Sequence, residues 1–134
     1  MDKIEDFLDD FDFIEDWEDK YLFLMEKGRE IPQLPEEMKV PANIVDGCQS
    51  RVWMTALPNG DRLTFAADSD SQIVKGLVAV VLMFYNDHTP NEIANMDITP
   101  VFQRMDLERH LSGNRSNGLK AMVQKIKSIS GSYL

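Results

Sequence analysis

The sequence predicts an α+β fold, with a small antiparallel sheet of about three strands packed against several helices. Three observations predict it. Apolar residues recur at helical spacing near both ends of the chain. Between them, two runs of β-forming residues flank an Asn-Gly turn signal. A long apolar run then follows, whose length favours a helix over a continuous strand.

Taken in order, Ile4, Phe7, Leu8 and Phe11 are spaced as one face of an amphipathic helix. A second helix is expected from near Ile14-Glu15-Asp16 through Trp17, Tyr21, Leu22, Leu24 and Met25, with Gly28 as its stop. Acids in its first turn suit the positive end of the helix dipole. Pro32, Pro35 and Pro41 make residues 31–41 an irregular connection. Val52 to Leu57 and Arg62 to Ala66 read as strands joined through Pro58-Asn59-Gly60-Asp61. Leu63 and Phe65 share one face, so the sheet is covered on one side only. Asn43 to Val45 is expected to add a third strand.

After Asp68-Ser69-Asp70-Ser71, each able to cap, a helix is expected over 72–85. It is apolar all round apart from Lys75, which makes it the central helix of the core. Gly76 costs it about 1 kcal/mol relative to alanine, which points to close packing against a neighbour. Thr89-Pro90-Asn91-Glu92 has the form of a capping box with proline at the first helical position. A short helix starts at Thr99-Pro100, and the last runs from about Asn117 to Ser130, burying Leu119, Met122, Val123, Ile126 and Ile129.

The chain has 134 residues, the size of one domain spanning 1–134. A net charge of −9 argues against nucleic acid or an anionic membrane as partner. No secretory signal is visible, and the apolar stretch from Leu77 to Tyr85 is too short to span a bilayer, so a soluble cytoplasmic protein is expected. Charge is uneven: residues 1–20 hold ten acids and two lysines, whereas residues 103–134 hold six basic residues and two acids. Two solvated helical faces explain this, and so does an acidic surface that selects a basic partner.

One cysteine and two histidines, at no ligand-like spacing, speak against a zinc or iron–sulfur site held by this chain alone. Isolated glycines give no phosphate-binding loop. Cys48 stands out by its setting. It follows the turn signal Asp46-Gly47, between the proline-rich connection and a strand, which places the thiol on a tight loop. From position alone, a small buried hydrophobe and a functional thiol both remain open.

The stretch Gly47-Cys48-Gln49-Ser50-Arg51-Val52-Trp53 resembles the cysteine motif of the SufE-like sulfur-acceptor proteins. The likeness continues through Asp68-Ser69-Asp70, Ile73 to Leu77, Thr89-Pro90, His110-Leu111-Ser112 and Arg115-Ser116-Asn117-Gly118-Leu119, covering about Trp17 to the C-terminus. The resemblance implies an α+β fold related to the IscU-like iron–sulfur scaffolds. It implies a partner of a pyridoxal-phosphate (PLP) cysteine desulfurase, SufS-like or CsdA-like. Cys48 would take sulfur from the desulfurase as a persulfide, stimulate it, and hand the sulfur on to iron–sulfur scaffold proteins. The PLP belongs to the desulfurase, and the chain itself carries no cofactor. A homodimer is compatible with this picture.

The supporting or partner-facing residues implied are Gly47, Gln49, Ser50, Arg51, Asp70, His110 and Arg115. Arg115 is placed to contact the Cys48 loop, or else to bind loop carbonyls where the last helix begins. His110 reads as a proton shuttle or a structural histidine, and Asp70 as a helix cap or a partner contact. An apolar pocket lined by Trp53 and the central helix would shelter the sulfur. The likeness departs at Gly113, where the family often has proline, leaving a loop of looser geometry before Arg115. Three rivals remain: an acceptor feeding another sulfur pathway through a different desulfurase, an allosteric activator carrying no sulfur, and a redox sensor forming sulfenic acid.

Overall fold

A computed structural model describes residues 3–134. Among them the fold is α+β: α1 (Lys3–Phe13) and α2 (Trp17–Glu30) precede the hairpin β1 (Val52–Asn59) and β2 (Arg62–Ser69). There follow α3 (Gln72–Tyr85), α4 (Pro90–Ala94), α5 (Thr99–Arg104), α6 (Leu107–His110) and α7 (Gly113–Gly131).

The central helix is α3, as its composition requires. Val74, Leu77, Val78, Val80, Val81, Leu82 and Tyr85 are buried between the hairpin on one side and α1, α2 and α7 on others. Ser71 caps it, its Oγ accepting from the Val74 N–H. Gly76 is needed for close approach: a Cβ there would lie 2.3 Å from the Leu24 carbonyl oxygen. Gly28 faces the same contact and does not stop its helix. A Cβ on it would lie 2.7 Å from the Gly76 nitrogen, and α2 runs on to Glu30.

In α1 the expected Ile4, Phe7, Leu8 and Phe11 are buried, with Phe7 stacked on Phe23 of α2 at 5.5 Å. Arg104 of α5 spans the outer face of α1, donating to Asp12, Asp9 and Glu5 at 2.9, 2.8 and 3.1 Å. Part of the opposite-sign charge at the two ends of the chain is therefore spent internally.

The sheet has two strands among the described residues, not three. Register runs from Val52↔Ser69 to Asn59↔Arg62, so Gly60-Asp61 is the turn, with Gly60 at φ +65°. Pro58 is tolerated inside β1 because its partner Leu63 directs both backbone groups the other way, to Asp87 and His88. The expected third strand reduces to one bridge, Ile44↔Trp53, and one bond from the Val45 N–H to the Val52 carbonyl. Pro41 opens a 3-10 turn over 41–43, and the chain turns again at Asp46-Gly47, leaving no length for a ladder.

Two features of the C-terminal half differ from the sequence reading. The four-residue helix α6 has no counterpart in it, and α7 begins at Gly113, four residues early. Ser112 caps it by accepting from the Arg115 N–H at 3.3 Å. Residues 113–115 are thus a fixed helical turn rather than a loose loop. At its other end Lys127 ties α7 to α4, donating to the Ile93 and Met96 carbonyls at 2.8 and 2.5 Å.

Candidate functional site in the Cys48 loop

Gly47 takes φ +93°, a conformation that favours glycine, and so turns the chain to present Cys48 toward α7. The thiol is half-buried, with Sγ 3.6 Å from the Gly118 carbonyl oxygen to which it donates. A cavity of about 290 Å3 opens beside it. The loop supplies Cys48, Gln49 and Ser50 to this cavity, α3 supplies Val74 and Leu77, and α7 with its cap supplies Ser112, Asn114, Arg115, Gly118 and Met122. Its floor is apolar and its rim carries hydroxyl, amide and guanidinium groups. Burial pushes the Cys48 thiol above its ordinary pKa.

The structure brings together Gly47, Cys48, Gln49, Ser50 and Arg115 from the residues singled out in the sequence. Gln49 is held by Asn114, whose Nδ2 donates to Oε1 at 3.2 Å. Arg51 and Asp70 form a separate pair at the end of the hairpin. The Arg51 N–H donates to the Asp70 carboxylate at 3.1 Å, and the Arg51 carbonyl accepts from the Asp70 N–H. Asp70 is therefore not the cap of α3; that role falls to Ser71 one residue on.

His110 sits elsewhere, stacked on Trp17 with centroids 3.9 Å apart. Its Nδ1–H donates to the Asp106 carbonyl, and its own carbonyl accepts from the Tyr21 hydroxyl. It is not among the residues lining the cavity. Nor is Trp53, which strand alternation explains. Its neighbours Val52 and Met54 point into the core, so Trp53 faces the other side, under the Lys39 ammonium at 5.3 Å.

Sequence reasoning missed one element that supports the loop. Asp68 is buried, and its carboxylate lies 3.2 Å from both Lys39 and Lys75. This fastens the connection leading into the cysteine loop onto β2 and α3. Asn114, Gly118 and Met122 were likewise given no site role, although Gly118 lies inside the late motif. No group of three or more His, Cys, Asp or Glu side chains is placed to hold a metal among the described residues. No helix there is long and apolar enough to cross a membrane.

An α+β domain with a single thiol on a turn beside a cavity is a class of protein that comparison makes specific. The family described as SufE, Fe-S metabolism associated domain, matches residues 5–130, and the chain belongs to it. An uncharacterized SufE-like protein of Rhizobium etli is 42% identical over 131 residues, covering 95% of this chain and 88% of that protein. Another, of Rhizobium meliloti, is 39% identical over 132 residues, covering 96% and 94%. The solution structure of a hypothetical protein from Thermus thermophilus has the same fold, with a TM-score of 0.77 at 17% identity, covering 97% of this chain and 94% of that one.

Proposed function

We propose that this chain accepts a sulfur atom on Cys48 from a PLP-dependent cysteine desulfurase, stimulating that enzyme, and delivers the sulfur for iron–sulfur cluster assembly. Membership of a family associated with iron–sulfur metabolism supports the pathway. The observation that carries the reading is the Cys48 side chain, turned by Gly47 onto the edge of a cavity large enough for an added sulfur.

In the transfer, the Cys48 thiol gives its proton to solvent or to a group on the partner. The thiolate attacks the outer sulfur of the desulfurase persulfide. A new S–S bond forms on Cys48, the old one breaks, and the desulfurase thiolate leaves. The PLP works on the desulfurase, and the sulfur passes from Cys48 to a scaffold protein. A reducing cytoplasm suits a carrier of this kind.

Burial raises the Cys48 pKa, so the free protein holds its nucleophile in the unreactive form. Docking of the desulfurase has to draw the loop out, which also removes the Gly118 contact. Arg115, at the rim, is the residue proposed to steady the negative sulfur. Gln49 and Ser50 meet the partner with the loop. Arg51, Asp70 and His110 act by holding the hairpin end and the α2–α6 packing.

Intact-mass analysis after incubation with a desulfurase and cysteine tests the reading. One added sulfur atom is expected on the wild type and none on Cys48→Ser. Retained stimulation of the desulfurase by Cys48→Ser would show an activator that carries no sulfur. Rapid oxidation by peroxide without sulfur uptake would instead indicate a redox sensor.

A further inference from the structure

Gly118 lies well inside α7, where glycine costs about 1 kcal/mol relative to alanine. At Gly28 and Gly76 the cost has an evident reason, because a side chain would run into backbone. At Gly118 that reason is missing. A Cβ there would meet Cys48 Sγ at 3.5 Å and the Cys48 Cα and Cβ at 4.0 Å, all ordinary contact distances. An alanine would fit against the free thiol.

The three nearest atoms around that absent side chain all belong to Cys48. The carbonyl of the same residue accepts the thiol hydrogen at 3.6 Å. Gly118 therefore faces Cys48 at contact distance, and it forms part of the wall of the cavity beside the thiol. A second sulfur adds a bond of about 2.05 Å beyond Sγ. Loading also removes the hydrogen from Sγ, so its bond to the Gly118 carbonyl is lost and the space beside Sγ becomes a condition for the loaded side chain to reseat.

We infer that Gly118 is a positioning residue for the loaded cysteine, its missing side chain holding open the space beside Sγ that an added sulfur atom fills. This rests on the reading of Cys48 as a persulfide carrier, but it is tested without a desulfurase. Methyl methanethiosulfonate is the probe. The Cys48 thiolate attacks its sulfenyl sulfur, an S–S bond forms to Sγ, methanesulfinate leaves, and the thiol proton goes to buffer. Cys48 then carries S–CH3, a stable adduct with the second sulfur in place.

Thermal unfolding is recorded for wild type and Gly118→Ala, each before and after modification. Unmodified Gly118→Ala is expected to melt at or above the wild type. Modification is expected to lower its melting temperature by about 4 °C more than it lowers that of the wild type. Equal shifts on modification overturn the proposal. So does a Gly118→Ala protein that fails to fold, since the geometry leaves room for the methyl beside the free thiol. Failure of the wild type to take sulfur from a desulfurase is a separate result, and it counts against the carrier reading alone.

Discussion

Lys39 holds its ammonium 3.2 Å from the carboxylate of Asp68, a residue only 5% exposed. Lys75 of α3 approaches the other carboxylate oxygen at the same distance. The triad joins three parts of the chain: the proline-rich connection, β2 and the central helix. Because that connection leads into Val45-Asp46-Gly47-Cys48, the triad helps set where the thiol loop begins.

Asp68→Ala is expected to destabilise the protein by about 2 kcal/mol, measured by urea unfolding near neutral pH. Burial works against ionisation of Asp68, but the Ser69 N–H and the two ammoniums outweigh it and hold the carboxyl below its usual range. A carboxyl whose folded pKa is depressed stabilises the fold above its unfolded value, about pH 4. That contribution is lost as pH falls through the folded value. Asp68→Asn should therefore flatten the acid limb of the stability profile. Wild-type and Asn curves that fall in parallel would remove Asp68 from the account.

Gly76→Ala is expected to cost about 3 kcal/mol despite the better helix propensity of alanine. The added methyl would be driven against the Leu24 backbone, which no side-chain rotation relieves. Gly131→Ala, where no atom lies within 4 Å, is the matched control and should be close to neutral. Similar unfolding midpoints for the two variants would contradict the close packing of α2 on α3.

The raised Cys48 pKa predicts the pH dependence of alkylation in the free protein. The iodoacetamide rate should reach its midpoint above the value of about 8.5 for an unhindered cysteine. Since burial is the cause, Arg115→Gln should leave that midpoint in place, while a docked desulfurase should lower it. A midpoint at or below that of a cysteine peptide would mean that the thiol is already activated at rest.

Arg104→Ala is expected to speed amide exchange across α1, where the guanidinium now bonds Glu5, Asp9 and Asp12. Exchange in α3 should change little. The contacts are exposed, so the difference between variant and wild type should shrink as salt rises toward about 1 M. Unchanged protection of α1 at low salt would show that its apolar face alone anchors it.

Several elements were legible because their causes are local. Ile4, Phe7, Leu8 and Phe11 announce a buried helical face, Asn59-Gly60 announces the hairpin, and Thr89 to Glu92 announces its own capping box. Gly76 could be read as a close contact, since glycine inside a helix needs a reason. Gly28 reads as a stop in the sequence because its actual reason lies in the opposing helix. The third strand failed for a similar cause: Asn43 to Val45 has the composition of a strand, but the turns on either side deny it a ladder.

By itself the sequence determined an α+β chain with one thiol on a turn, and the motif around Cys48 marked the candidate site. Only the tertiary structure decided the thiol's surroundings. It set α7 four residues earlier, which brings Asn114, Arg115 and Gly118 up to the cysteine loop, and it moved Trp53, Asp70 and His110 away from the cavity. The physical reason is that propensity and periodicity act within a few residues, whereas the contacts made by Cys48 join segments that are far apart in the chain and meet only once the core has packed.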